Sequence, residues 1–256
     1  MEETIIKLEN VSKSFGNKKI LDNLNLEIKK GESMVIIGGS GTGKSVTLKC
    51  ILGLLKIDKG KISLFNQDIQ KATEIEKKEF QKKIGMLFQG SALFDSLNVW
   101  ENISFGLVQG RNIKPLKAKE IAMEKLFQVG LKPEISNLYP SELSGGMQKR
   151  VALARAIATE PEIIFFDEPT TGLDPIMANV INDLITNIVK NLGATALSIT
   201  HDIPSAKKIA DKISMLHKGE IIWSDSSVKL ENSQNEYVHQ FINGETNGPI
   251  EVNTNN

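Results

Sequence analysis

Gly38-Gly-Ser-Gly-Thr-Gly-Lys-Ser45 lies between an apolar run, Met34-Val-Ile-Ile37, and an amphipathic stretch that begins Val46-Thr-Leu-Lys-Cys-Ile-Leu. Glycines, a lysine and a hydroxyl at this spacing, entered from a strand and left by a helix, make a phosphate-binding loop. Gly38, Gly41 and Gly43 let the backbone curl tightly, so that several N–H groups turn inward toward phosphate oxygens. The helix that follows adds the positive end of its dipole. Lys44 supplies a point charge for the outer phosphates, and the Ser45 hydroxyl is placed to ligate Mg²⁺. The candidate nucleotide-binding residues here are Gly38, Gly39, Ser40, Gly41, Thr42, Gly43, Lys44, Ser45 and Val46. The alternative, a glycine-rich turn with a chance lysine, does not account for the full spacing. The chain is committed to nucleoside triphosphate chemistry.

Outward from the loop, the pattern is that of an α/β protein. Residues 4–28 alternate in patches around a turn at Gly16-Asn17, which predicts antiparallel strands. Lys61-Ile-Ser-Leu-Phe65 predicts a further short strand, and Ile84-Gly-Met-Leu-Phe88 a buried one ending at Gln89. From about 91 to 158 alternation gives way to helical spacing, as in Ala118 to Val129. This stretch is read as a helical lobe inserted in the core. Glu162-Ile-Ile-Phe-Phe166 restores the strand pattern. The next segment, Ile176 to Leu192, puts Met177, Val180, Ile181, Leu184, Ile185, Ile188 and Leu192 on one helical face. Thr195 to Thr200 and Lys212 to Leu216 are further strands. Strands separated by helices predict a largely parallel sheet covered on both sides. The polar segment from Glu245 to Asn256 reads as a loose tail or a docking arm.

Composition narrows the classes. The 256 residues suffice for one core with a subsidiary lobe. Basic and acidic residues number 31 each, so the formal net charge is zero and no nucleic-acid-coating surface is expected. The single cysteine, Cys50, has no partner for an internal disulfide, which fits a reducing compartment, and its apolar neighbours suggest a buried thiol. No apolar run is long enough to span a bilayer, and the N-terminus lacks the basic and apolar regions of a signal peptide. Attachment to a membrane would come through a partner.

Two further constellations carry chemistry. Phe165-Phe166-Asp167-Glu168 ends a buried strand in two carboxylates, which is costly unless they serve a cation or a reaction. Asp167 is placed to hold Mg²⁺ through water. Glu168 is placed to polarise an attacking water as general base, a role worth about 10² to 10⁴ in rate. Alone, the pair would read as a solvated strand end; beside a phosphate loop it reads as catalytic. Leu143-Ser-Gly-Gly-Met147 opens a second helix. Ser144 is a good N-cap, and Gly145 and Gly146 admit an anion to the exposed N–H groups. One triphosphate does not need two anion-binding helix starts on one chain. The economical arrangement is a dimer in which Ser144, Gly145 and Gly146 close over the γ-phosphate bound by the other copy; the alternative is an ordinary capped helix.

In order along the chain, the phosphate loop, Gln89, Leu143-Ser-Gly-Gly-Met147, Asp167-Glu168, Gly172-Leu-Asp-Pro175 and His201 resemble the ATP-binding-cassette ATPases, over about residues 4 to 243. The resemblance implies an α/β P-loop NTPase with a largely parallel core sheet, an N-terminal antiparallel β subdomain and the inserted helical subdomain at 91–158, followed by the 244–256 tail. It implies ATP and Mg²⁺ as ligands. It further implies that Phe15 stacks on adenine, where the family often has Tyr; the alternative for Phe15 is core packing. Gln89 would touch Mg²⁺ and water, Asp174 would contact the opposite copy, and His201 would hydrogen-bond the γ-phosphate and position Glu168. The signature pentapeptide commonly ends in Gln; Met147 departs from that without touching the anion contacts.

Three segments resemble the ATPases of the Mla-type systems, which move phospholipid between the membranes of a Gram-negative envelope. They are Leu87-Phe-Gln-Gly-Ser-Ala-Leu-Phe-Asp-Ser-Leu-Asn-Val-Trp-Glu-Asn102, Glu142-Leu-Ser-Gly-Gly-Met147, and the stretch from Val238 to Pro249. This resemblance implies a second copy, an integral-membrane permease, a lipid-binding periplasmic protein and a small cytoplasmic regulator as partners, with the chain peripheral on the cytoplasmic face of the inner membrane. Phe94, Leu97, Val99 and Trp100 would form an apolar groove for a permease helix, or else the core of the helical lobe. Two other readings stay open: a cassette ATPase without a permease, disfavoured by a single phosphate loop and no long heptad run, and a transporter of another solute. A kinase built on the same loop does not explain Ser144-Gly-Gly or His201.

Overall fold

The computed structural model describes residues 3–251 and resolves into two compact units. One comprises the chain up to Lys71 together with the chain from Ile199 onward, and the other runs from Ala72 to Ser198. The first unit begins with a long hairpin, β1 (Thr4–Phe15) and β2 (Lys18–Lys29), turning at Gly16-Asn17 as predicted. Its register sets Ile6 against Ile28 and Leu8 against Leu26, all four buried. One face of the ribbon is therefore apolar, and a one-residue slip would turn that face to water. β3 (Ser33–Ile37) is buried along its whole length, as a strand covered on both sides must be. It delivers the chain to the phosphate loop and α1 (Lys44–Ile51). β4 (Lys59–Leu64) pairs with β1 on the side away from β2, and β5 (Gln67–Asp68) adds to β4, giving an antiparallel sheet in the order β2-β1-β4-β5. Cys50 is buried on α1, and burial pushes its thiol up to about 11, so it is unreactive at neutral pH.

The second unit opens with α2 (Glu74–Lys82), held at its start by a reciprocal capping box between Thr73 and Glu76. β6 (Ile84–Leu87) follows and pairs in parallel with β7 (Ile163–Asp167), Met86 opposite Phe165 and Leu87 opposite Phe166. Between these strands lie α3 (Val99–Phe105), a π-turn at Gly106–Gly110, α4 (Pro115–Gln128) and α5 (Gly145–Ile157). The three α-helices pack on one another through Val99, Ile103, Ala118, Ala122, Leu126, Val151 and Leu153, all buried. Gly85 shows why β6 takes a glycine: a Cβ there would collide with the Ala156 carbonyl of α5. α6 (Pro175–Leu192) starts at Asp174 and ends at Gly193, which is left-handed as a C-terminal stop requires. Its buried set is Ile181, Asn182, Ile185, Ile188 and Val189. Met177, Val180, Leu184 and Leu192, placed on that face by their spacing, are half-buried instead, and Val189 and the polar Asn182 join the buried set.

β8 (Thr195–Thr200), buried throughout, carries the chain back to the first unit. α7 (Ile203–Ile209) is capped by Asp202. β9 (Lys212–His217) runs parallel to β3, with Ile36 opposite Ser214, and β10 (Glu220–Ser226) returns antiparallel to β9. α8 (Glu236–Asn243) ends at the left-handed Gly244. The tail then departs from expectation. Gln240, buried on α8, donates through Nε2 to the carbonyls of Glu245 (3.2 Å) and Ile250 (3.1 Å), while its Oε1 accepts from the Ile250 N–H (2.7 Å). Residues 245–250 are thus folded against α8 rather than loose; residues 252–256 lie outside the described part.

Candidate functional site

In the first unit the phosphate loop has the conformation its glycines were read for. Gly38, Gly41 and Gly43 all have positive φ, at 153°, 75° and 110°. At Gly38 a Cβ would collide with the Leu216 carbonyl oxygen of β9, and at Gly43 it would come within 2.9 Å of Leu21 Cδ2. The loop is pinned from outside by strands that leave no room for a side chain. Lys44 is only 8 % exposed, and its Nζ donates to the carbonyls of Gly38 (2.6 Å) and Gly39 (2.9 Å). The ammonium is therefore held over the loop mouth by loop carbonyls. Thr42 Oγ1 donates to the Gly39 carbonyl at 3.0 Å, which closes the turn. Ser45 is exposed at the first turn of α1, and Val46 is half-buried beside it. Phe15, at the end of β1, is 47 % exposed with Lys13 Nζ 5.4 Å from its ring centroid. It is not a core residue, and that alternative falls. His201 is exposed, immediately after β8 and before the Asp202 cap of α7.

The second unit carries the other candidates. Gln89 follows β6, and Asp167 is the last residue of β7. Glu168 is 8 % exposed and adopts a left-handed backbone at φ 48°. A non-glycine residue held there stores about 1–3 kcal/mol, which its surroundings must maintain. Thr171 Oγ1 donates to Glu168 Oε2 at 3.2 Å and helps to fix the carboxylate. Ser144 caps α5, its Oγ accepting from the Met147 N–H at 3.3 Å, which leaves the hydroxyl proton for an outside acceptor. Gly145 has open space where a Cβ would be, and it lies with Gly146 in the first turn. Asp174 Oδ1 accepts from the N–H groups of Ile176 and Met177, both at 3.0 Å, so this residue is a helix cap as well as an exposed carboxylate.

Spacing alone did not single out Lys149. The residue is 5 % exposed on α5, and its ammonium donates to the Gln89 carbonyl. Burial pushes its pKa down, and the charges of Asp167 and Glu168 push it back up. The signal was present in the sequence: Lys149 falls three and four residues from Ala152 and Leu153, on the apolar side of the helix, where a lysine needs acceptors.

The second unit also contains an open cleft of about 880 Å³, whose walls include Met86, Phe88, Phe94, Phe105 and Arg155. Phe94 and Phe105 stack at 4.5 Å between centroids, and the Arg155 guanidinium lies 5.9 Å from the Phe94 ring. Of the four groove residues named from sequence, Phe94 alone lines this cleft. Val99 is fully buried core, and Trp100 is half-buried under Lys119, 5.2 Å from the ring centroid. Val99 and Trp100 are consecutive positions at the start of α3 and so point in different directions, while Phe94 and Leu97 lie on the loop before it; the four do not share one surface.

A family model described as ABC transporter matches residues 21–171. This chain belongs to the ABC transporter ATP-binding family. It is 40 % identical over 250 residues to the intermembrane phospholipid transport system ATP-binding protein MlaF of Haemophilus influenzae, covering 98 % of this chain and 94 % of that one. It is 39 % identical over 245 residues to the probable ribonucleotide transport ATP-binding protein mkl of Mycobacterium leprae, covering 96 % of this chain and 70 % of that one. Among solved structures, the dimeric ATP-binding cassette MJ0796 in a post-hydrolysis state, bound to ADP and Pi, superposes with a TM-score of 0.80 at 33 % identity, covering 87 % of this chain and 99 % of that one. The fold is the α/β P-loop NTPase of these ABC ATPases, with parallel core strands and an antiparallel N-terminal sheet. The chain is an ATP-binding, ATP-hydrolysing transport subunit. Among the described residues no helix is long and apolar enough to cross a membrane.

Proposed function

We propose that this ABC ATPase energises phospholipid transport between the membranes of a Gram-negative envelope. The observation that carries the cargo assignment is the end-to-end likeness to the phospholipid-system ATPase, which this chain covers to 94 %, against 70 % of the ribonucleotide-transport protein. The ATPase domain is assigned to 4–243, with its helical lobe at about 91–158 and a tail at 244–256. The chain acts as a peripheral subunit on the cytoplasmic face of the inner membrane, working with a second copy of itself, an integral-membrane permease, a lipid-binding periplasmic protein and a small cytoplasmic regulator. The cleft walled by Phe88, Phe94 and Phe105 is the apolar surface best suited to a permease helix, and Arg155 suits an acidic or helix C-terminal group at its rim.

The residue roles follow from chemistry. Phe15 offers an open ring face to adenine. The 38–46 loop and Lys44 take the phosphates. Ser144, Gly145, Gly146 and Asp174 reach the nucleotide of the other copy. Glu168 removes a proton from the attacking water, and His201 donates to the γ-phosphate. Ser45, Gln89 and Asp167 suit Mg²⁺: they supply hydroxyl, amide and carboxylate oxygens, the hard donors this ion takes, and Ser45 stands exposed beside the glycine cradle. When bound, Mg²⁺ neutralises charge on the terminal phosphates. The ATP-bound pair is closed because the γ-phosphate is held by both copies; its loss on hydrolysis releases them.

Pulling the tagged chain from native membranes tests the cargo. A multi-helix permease with a lipid-binding periplasmic protein, and ATP-dependent movement of labelled phospholipid between vesicles carrying the recovered complex, are expected. Recovery of a soluble solute-binding protein, with no lipid movement, would assign another cargo.

A further inference from the structure

The chain between β6 and α3 makes an unusual demand on its surroundings. Ser91 and Ala92 both have left-handed backbones, at φ 63° and 48°. Neither is a residue that adopts this conformation readily, and about 1–3 kcal/mol is stored at each. Such a loop stays in place only if other groups over-determine it. Two of those groups come from α5. Lys149 donates to the Gln89 carbonyl. The Arg155 guanidinium spans two further carbonyls, with Nη2 on Ser91 at 2.7 Å and Nη1 on Ala92 at 2.6 Å. A third holds the far end: Asn102 of α3, fully buried, donates to the carbonyls of Phe94 and Leu97 and accepts from the Phe94 N–H at 2.8 Å.

The arrangement is asymmetric. Asn102 ties the loop to its own following helix, a local bond. Lys149 and Arg155 tie it to α5, about 60 residues away in sequence. α5 is also the helix whose first turn holds Ser144, Gly145 and Gly146. The charges of Asp167, at the end of β7, and of Glu168 also act on the Lys149 ammonium.

We propose that Lys149 and Arg155 are positioning residues: a two-point clamp that makes the Gln89–Ala92 loop move as one body with α5. By this clamp, displacement of the loop at the cleft wall, where Phe94 and Arg155 stand, is transmitted to Ser144 at the start of α5 and to the carboxylates at the end of β7. Neither residue is assigned a contact with nucleotide. Each acts through the carbonyls it holds. The proposal rests on Gln89 and Glu168 serving the ATP site as set out above.

Two measurements on the full chain, with its permease, test it. Hydrogen exchange of backbone amides at 90–94 reads the clamp directly. In Lys149→Met, which keeps length and loses donor and charge, these amides are expected to exchange at least tenfold faster, while those of α4 are unchanged. Steady-state ATPase is expected to show kcat down about tenfold or more with the KM for ATP within threefold, and Lys149→Arg is expected to restore both readouts to within threefold of the parent. Unchanged exchange at 90–94, or a kcat within twofold of the parent, would overturn the clamp. So would a kcat loss accompanied by an equal rise in KM and no rescue by Arg. Should Lys149→Met fail to fold, Arg155→Lys is read instead: it keeps the charge and loses the fork across two carbonyls, and faster exchange at 90–94 supports the clamp where parental exchange overturns it. Gln89→Ala separates the clamp from the role of Gln89 at the ATP site. If it leaves kcat untouched while Lys149→Met speeds exchange, the clamp stands and the role of Gln89 in the site is wrong.

Discussion

At the scale of single residues, the phosphate loop is fixed as much by what surrounds it as by its own glycines. Gly38 has φ 153°, and a side chain there would meet the Leu216 carbonyl, a backbone atom that cannot swing aside. Gly38→Ala is therefore expected to weaken ATP binding at least tenfold and to lower the melting temperature, measured by nucleotide titration and calorimetry on one preparation. Parental affinity at parental stability would mean that the loop has slack the structure does not show. The motif residues were legible because each is of a type that only the chemistry requires: glycines at fixed offsets, a lysine, paired carboxylates at a strand end. Lys149 was not, because a lysine inside a signature helix looks like a solvated face until its burial and its acceptor on Gln89 are seen. The left-handed backbone of Glu168 was hidden for another reason: glutamate carries no preference for that conformation, so nothing in its identity announces it.

At the scale of elements, period and punctuation decided most of what could be read. The hairpin β1–β2 and the helix α6 follow from alternation around Gly16-Asn17 and from a clean apolar face closed by Gly193. Short elements with mixed composition were missed. Six of the nine residues of α2 are charged and one, Phe80, is buried, so it has no apolar stripe to detect. β10 is half-buried along its length and follows β9 through a two-residue turn at Lys218-Gly219. Of the two readings of the tail, the loose one fails for a physical reason: polar composition suggests looseness, but one buried amide, Gln240, satisfies three backbone groups and holds residues 245–250 to α8. Each such hydrogen bond contributes about 0.5–1.5 kcal/mol net. Gln240→Met keeps the bulk and removes all three, so limited proteolysis within 245–251 is expected to quicken at least tenfold with the global melting transition nearly unchanged. Cleavage at the parental rate would show that other contacts hold the segment.

At the scale of the whole molecule, the chain presents two helix starts suited to anions, one at Lys44 and one at Gly145, and in Glu168 a buried glutamate with a left-handed backbone just after β7. One nucleotide per chain uses both starts only if two chains face each other. Under the proposed function that requirement joins the local chemistry to transport: binding energy from the γ-phosphate would close the pair, hydrolysis would remove it, and the cleft residues would pass the motion to the permease. Size-exclusion chromatography with light scattering on Glu168→Gln tests this most directly, with and without saturating ATP and Mg²⁺, alone and with the permease. The nucleotide-free chain is expected to be monomeric alone and the ATP-Mg²⁺ form to double in mass while retaining one ATP per copy; a chain that stays monomeric under every one of these conditions would contradict the composite site.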